Sequence, residues 1–191
     1  MAEKYFEYKE ILQKRLTPKR YNHSLCVADE AVRLAKKYGG DQEKAYLAGL
    51  LHDITKNATV EEHLHIFNKF DIMLNDIEKK SEKLWHAISG SAYIEHMLCI
   101  TDKEIINSVR YHTTAREDMT HFEKIIYLAD FTSSDRDYDD IEIMRAKVEI
   151  SMEDALDYAL SYTIKDLVSR KKQLHLDTIK AYNQYVLKGD K

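Results

Sequence analysis

Apolar positions recur at helical spacing along nearly the whole chain, and the stop signals between them are few. A short segment over residues 5–16 precedes Thr17-Pro18, an N-cap followed by proline at the first helical position. Cys26, Val27, Ala31, Leu34 and Ala35 then mark one face of a long helix that Gly39-Gly40 ends. Asp41 can cap the next helix, which is apolar almost throughout residues 45–54 until His52-Asp53. A helix apolar on all sides belongs in the middle of a domain. Thr59-x-x-Glu62 and Thr101-x-x-Glu104 read as capping boxes opening two further helices. Between them lie a polar stretch over residues 75–80 and a helix over about residues 84–98. Residues 122–131 form another apolar helix, followed by a polar run over 132–140 whose acidic stretch, Asp135 to Asp140, reads as a solvated loop that closes over the site. Ser151-x-x-Asp154 opens a helix to about residue 168, and residues 174–187 form the last. No linker, internal repeat or sustained heptad array interrupts this pattern. The expectation is one all-α domain over residues 1–191, with roughly seven to nine helices.

Composition narrows the picture. Five Gly and one Pro in 191 residues leave too few tight turns for an all-β domain. With 44% hydrophobic and 32% charged residues, the chain has enough apolar material for a core and enough charge for a solvated surface. No apolar run approaches the roughly 18 residues of a membrane span. Met1-Ala2-Glu3-Lys4 lacks the layout of a signal peptide, and Cys26 and Cys99 stand far apart without a CxxC pair. A cytoplasmic protein in a reducing compartment is expected. The net charge of −4, without a basic stripe, argues against nucleic acid as a partner. There is no GxxxxGK[ST] and no strand-linked GxGxxG, so any phosphate must be held by cationic side chains or a metal.

Several ionisable residues fall where the core should be. His23 lies one turn before Cys26 and Val27, and His52-Asp53 end the most apolar segment. His112 continues the stripe of Ile105, Ile106 and Val109, and Asp130 that of Phe122, Ile125, Ile126 and Ala129. His86 stands beside Trp85 and Ile88. Any one of these alone is compatible with a satisfied core histidine or a buried ion pair. An unpaired buried carboxylate costs several kcal/mol, however, and four His with two Asp from five helices are hard to satisfy without a cation. Imidazole plus carboxylate suits Fe, Mn or Zn, and the absence of nearby thiolates argues against a structural zinc site. Lys56 lies one turn beyond His52, and Arg20 three residues before His23, so both project towards the same region as candidate phosphate-binding cations. Arg136, in the polar run after Asp130, is a third. His63, His65, His96 and His121 flank polar residues and read as surface or half-buried.

The order His23, His52-Asp53, His86, His112, Asp130 resembles that of the HD-domain phosphohydrolases, with Lys56 completing an HDxxK form of the eponymous pair. More closely, about residues 17–180 resemble the YqeK-type bacterial symmetrical diadenosine tetraphosphate hydrolases. The matching stretches are Arg20-Tyr21-Asn22-His23-Ser24-Leu25, Ala48-Gly49-Leu50-Leu51-His52-Asp53-Ile54-Thr55-Lys56 and His86-Ala87-Ile88-Ser89-Gly90. Tyr111-His112-Thr113-Thr114, Ala129-Asp130, Arg136 and Gln173-Leu174-His175-Leu176-Asp177-Thr178 complete them. Ser133-Ser134 stand where that type usually has Glu-Pro, and Leu176 where it favours proline.

The resemblance implies a single HD-domain helical bundle in which His23, His52, Asp53 and Asp130 hold a metal. His86 and His112 would hold a second ion or contact phosphate, with Asp53 bridging in the two-metal form. The implied cofactor is iron, with manganese or cobalt as substitutes, as one or two ions. Asp53, Lys56, His86 and His112 would be catalytic, while Arg20, Lys56, His86, His112, Arg136, Tyr138, Arg170 and His175 would contact substrate. The implied reaction cuts diadenosine tetraphosphate into two ADP. An HD nucleotidase or guanosine-nucleotide phosphohydrolase acting on ADP- or GDP-like nucleotides stays open, as does a non-catalytic nucleotide-binding regulator. A homodimer is also implied, dimers being common among similar proteins.

Overall fold

A computed structural model describes residues 5–189, with side chains described for 5–185. Among the described residues the chain is helical without strands. The helices are α1 (Phe6–Arg15), α2 (Pro18–Tyr38), α3 (Gln42–Leu51), α4 (Val60–Lys69), α5 (Asp76–Lys79), α6 (Trp85–Ala92), α7 (Lys103–Tyr111), α8 (His121–Thr132), α9 (Ile141–Ile150), α10 (Met152–Ser169) and α11 (Leu176–Gly189). A 3₁₀ turn (Glu82–Leu84) precedes α6, and a π-helical turn (Tyr93–Met97) follows it. None of these helices is long and apolar enough to cross a membrane.

Local chemistry accounts for most of the boundaries. Thr17 accepts from the Arg20 amide, with Pro18 at the first helical position, and Asp41 accepts from the Lys44 amide. Asn75 with Glu78, and Thr120 with Glu123, close reciprocal capping boxes at α5 and α8. The cap of α7 is Asp102 rather than the expected Thr101: its carboxylate accepts from the Glu104 amide. The eleven helices exceed the expected seven to nine because α5 and α9 were not anticipated. At α9 the signal is weak, since its N-cap Asp140 sits in the left-handed region at φ 71° and makes no side-chain cap bond. Its packing face, Ile141, Met144 and Val148, is nonetheless buried at helical spacing. The helix expected over residues 84–98 is split into the 3₁₀ turn, α6 and the π turn, which stops before Cys99 at φ 55°.

As its composition suggests, α3 is central, and Ala45, Tyr46, Ala48, Gly49, Leu50 and Leu51 are all buried. It packs against α2, α7 and α8, while α9, α10 and α11 close the other side of the bundle. The α2–α3 contact is set by Gly49. A Cβ built there would meet Ala28 Cα at 2.8 Å and the Val27 carbonyl oxygen at 2.9 Å, and both are backbone atoms that cannot rotate aside. This close approach brings the His23 turn of α2 alongside the end of α3.

Alanine favours helices over glycine by about 1 kcal/mol, so Gly49→Ala would stabilise an unconstrained site. Here the backbone clash dominates, and the substitution is expected to destabilise by about 1–3 kcal/mol in thermal or urea unfolding. An unchanged or raised midpoint would contradict the close packing.

Candidate metal centre

Five helices deliver ionisable side chains to one buried point. His23 comes from α2, His52 and Asp53 from the turn leaving α3, His86 from the start of α6, His112 from the residue after α7, and Asp130 from the last turn of α8. The four histidines and Asp53 are all buried, with His52 fully so. Ring orientation follows from hydrogen bonds on the far nitrogens. His52 Nδ1 donates to the Gly49 carbonyl at 2.6 Å, and His112 Nδ1 to the Val109 carbonyl at 2.7 Å. A carbonyl only accepts, so Nδ1 carries the proton in both and Nε2 presents its lone pair inward.

The inward atoms crowd together. His23 Nε2 lies 2.9 Å from Asp130 Oδ1, and His52 Nε2 lies 3.6 Å from Asp53 Oδ2 and 3.8 Å from Asp130 Oδ1. Asp53 Oδ1 is 3.2 Å from His86 Nε2 and 3.5 Å from His112 Nε2, and those two nitrogens are 3.1 Å apart. Two donor groups result, His23–His52–Asp130 and His52–Asp53–His112, each with ligand atoms within 4.8 Å of one another. His52 belongs to both.

Two observations fit these groups to a cation. His52 Nε2 and Asp53 Oδ1 are buried yet make no well-formed hydrogen bond, a condition that costs about 1–3 kcal/mol per atom. The donor set, neutral imidazole with carboxylate, is also what divalent transition metals take. Burial pushes His52 down to about 3, and it pushes His86 down to about 4 against the pull of Asp53. Both imidazoles are therefore neutral near pH 7, as metal ligands must be. Burial would raise the two carboxylates. A hydrogen bond with His86 and the charge of Lys56 instead hold Asp53 well below its ordinary value, and Arg136 with His23 does the same for Asp130.

The expected cations converge on this point by different routes. Arg20 Nη1 donates to Asp53 Oδ2 at 3.2 Å while the side chain stays half-exposed. Lys56 Nζ lies 3.5 Å from Asp53 Oδ1 and 2.9 Å from His86 Nε2, and burial lowers its pKa against the attraction of Asp53 and Asp130. Arg136 is turned inward: Nε donates to the Asp130 carbonyl at 2.6 Å and Nη2 to the Asp130 carboxylate.

Three residues expected at the substrate are not brought to the histidines. Tyr138 donates its hydroxyl to the Phe131 carbonyl at 3.2 Å and packs its ring on Tyr162. Arg170 and His175 line a cavity of about 470 Å³, together with Lys80, Lys83 and Thr113-Thr114, the two residues that follow His112 in the chain. Arg170 pairs with Asp166 at the surface. His175 is buried, with Nδ1 accepting from the Asp177 amide at 3.2 Å and Nε2 3.3 Å from Asn75 Nδ2. Its nitrogens are engaged by the protein, so it offers the cavity ring surface.

The structure adds residues that were not anticipated. Asp135, read as part of a solvated acidic loop, pairs with His23 Nδ1 at 2.8 Å. His63, read as surface or half-buried, is buried: its Nδ1 is 2.8 Å from Ser89 Oγ, and its ring packs on Phe67 and Trp85. Its position three and four residues before the buried Ile66 and Phe67 was the available signal. His65, His96 and His121 are exposed, as expected.

An all-α bundle that carries histidine and aspartate on converging helices around a cation-ready centre defines a class of metal-site protein. The family model described as HD domain matches residues 20–135, and the chain belongs to the HD domain family. It is 33% identical to the symmetrical bis(5'-nucleosyl)-tetraphosphatase of Halalkalibacterium halodurans, covering 93% of this chain and 95% of that one. It is 32% identical to the protein of the same name from Staphylococcus aureus, covering 93% and 92%. Among solved structures it is similar to a Clostridium acetobutylicum protein described as a predicted HD superfamily hydrolase involved in NAD metabolism. That match has a TM-score of 0.93 and 34% identity, covering 96% of this chain and 97% of that one.

Chelator-treated protein should gain stability when Fe(II), Mn(II) or Co(II) is added, by about 2.7 kcal/mol at a free-ion concentration 100 times Kd. Thermal unfolding reads the gain, and His52→Ala, which removes the ligand common to both donor groups, should abolish it. No gain in the parent protein would contradict a metal centre.

Proposed function

We propose that this chain is a metal-dependent hydrolase that cleaves diadenosine tetraphosphate symmetrically into two ADP. The observation that carries the reading is the pair of donor groups sharing His52, flanked by Lys56 and Arg20. Similarity over nine-tenths of the chain to symmetrical bis(5'-nucleosyl)-tetraphosphatases supports the choice of substrate.

In this reading His23, His52, Asp53 and Asp130 hold a first ion, and His86 and His112 hold a second or contact phosphate. Iron is the proposed metal, with manganese or cobalt as substitutes. A divalent cation bound there supplies an acidified water and a polarised phosphoryl oxygen. The protein's own groups supply the rest. The Nδ1–carbonyl bonds of His52 and His112 fix their Nε2 atoms inward before any ligand arrives, so no reorganisation is needed during reaction. Lys56, half-buried and close to His86 and Asp53, presents an ammonium where charge develops on the leaving phosphate. Arg20 keeps part of its guanidinium exposed for a phosphate oxygen, and Arg136 steadies Asp130. Water adds to one of the two inner phosphorus atoms, the central bridging P–O bond breaks, and a proton passes to solvent as two ADP depart. Arg170 and His175, which line the cavity, are assigned to the nucleoside side, with the cavity's lysines towards the polyphosphate, and Tyr138 is assigned to the same end of the substrate by the resemblance alone.

Incubation with diadenosine tetraphosphate and Fe(II), Mn(II) or Co(II), with products resolved by ion exchange, should yield ADP alone. AMP with ATP would overturn the symmetric cut, and no turnover with any of the three ions would overturn the hydrolase. Lys56→Ala should lower kcat by about 10²–10³-fold while metal content stays at the parent level. Unchanged kcat would remove Lys56 from the reaction.

A further inference from the structure

His23 differs from His52 and His112 in what stands behind its ring. His52 and His112 each donate Nδ1–H to a carbonyl three residues earlier, a neutral acceptor that comes with the local turn. His23 lies inside α2, and its Nδ1 instead meets Asp135 Oδ2 at 2.8 Å, across 112 residues of sequence. Its Nε2 faces Asp130 Oδ1 at 2.9 Å on the opposite edge of the ring.

The carboxylate of Asp135 is itself held in place. Ser133 Oγ donates to its other oxygen, Oδ1, at 2.8 Å. The loop that carries both is fastened from α9, where Arg145 Nη2 donates to the carbonyls of Ser133 at 3.1 Å and Arg136 at 3.3 Å. Tyr138 ties the far side of the loop to the Phe131 carbonyl. Asp135 is therefore an anchored, ionised acceptor for His23, in the place where His52 and His112 have a main-chain carbonyl.

We propose that Asp135 is a positioning residue for metal binding: it holds the His23 ring with Nε2 towards Asp130 and makes that nitrogen a stronger donor to the ion. The inference rests on reading the centre as a metal site. A hydrogen bond to an ionised acceptor is roughly twice as strong as one to a neutral group. Carboxylates placed behind a ligating histidine contribute about 10–100-fold in metal affinity, because they fix the tautomer and raise ligand basicity. The device also couples the 133–138 loop to occupancy of the centre, since the loop's anchored carboxylate and the ion act on the same ring.

The test uses Co(II) alone as the probe on the chelator-stripped full chain, with Kd measured by competition against a chromophoric chelator. Asp135→Ala should weaken binding by about 10–100-fold, and Asp135→Asn, which keeps an acceptor but loses the charge, should fall between it and the parent. The exposed neighbour substitution Asp137→Asn serves as the control and should bind as the parent does. In 15N-histidine-labelled protein, the His23 Nδ1 proton should give a downfield NMR signal that moves upfield in Asp135→Asn and is lost to exchange in Asp135→Ala. Both variants should retain the parent's helical circular dichroism. Parent-like Kd in Asp135→Ala, or equal weakening in Asp135→Ala and Asp137→Asn, would overturn the role of Asp135. A parent chain that takes up no Co(II) would overturn the metal site itself, which separates the two claims.

Discussion

Asp53 is an ionised carboxylate in a protein core, with Oδ1 3.2 Å from His86 Nε2 and 3.5 Å from both His112 Nε2 and Lys56 Nζ. Arg20 reaches its second oxygen from the half-exposed side at 3.2 Å. Burying such a charge without compensation costs several kcal/mol, so the surrounding helices must bring positive or polarisable groups to it. The bundle does this with helix ends: α3 stops to release His52 and Asp53, α7 stops before His112, and α6 begins just before His86. Asp130 is met in the same way by His23 and Arg136. The two donors left without a well-formed hydrogen bond, His52 Nε2 and Asp53 Oδ1, have the chemistry that a divalent cation takes.

Packing and electrostatics are joined at Gly49. The absence of a side chain there lets α3 lie against the backbone of α2 at Val27 and Ala28, and its carbonyl fixes the tautomer of His52. One residue thus sets both the distance between His23 and His52 and the direction in which His52 points. Farther out, the Thr55 hydroxyl donates to the His86 carbonyl at 2.8 Å and meets Ser89 Oγ, which in turn meets His63. This chain of hydrogen bonds ties α4 and α6 to the turn bearing the His-Asp pair, so the centre is braced from behind as well as surrounded.

Much of this was legible in the amino-acid order, for identifiable reasons. Apolar periodicity located the long helices, and polar residues breaking an apolar stripe located His23, His52, Asp53, His112 and Asp130, because a stripe fixes which face a side chain occupies. Thr17-Pro18 and Asp41 marked the starts of α2 and α3, since capping is local chemistry. What escaped depends on contacts distant in sequence. Asp135 sits in an acidic run that reads as solvated, and only the fold places it behind His23. Arg136 reads as a free cation, but the turn after α8 folds it back onto Asp130. His63 was hidden by the polar residues beside it, although its stripe with Ile66 and Phe67 was present. In α9 the buried face was readable, but a left-handed N-cap without a capping bond gave no start signal.

The central claim is that the converging histidines and aspartates form a metal site with His52 at its middle. The most direct measurement is a crystal structure of the Fe- or Mn-loaded protein, with anomalous scattering recorded at the absorption edge of the added metal. The account predicts a peak at ligand distance from His52 Nε2, completed by His23 and Asp130, by Asp53 and His112, or by both sets for two ions. A peak elsewhere on the protein, or none with the metal present in solution, would contradict it.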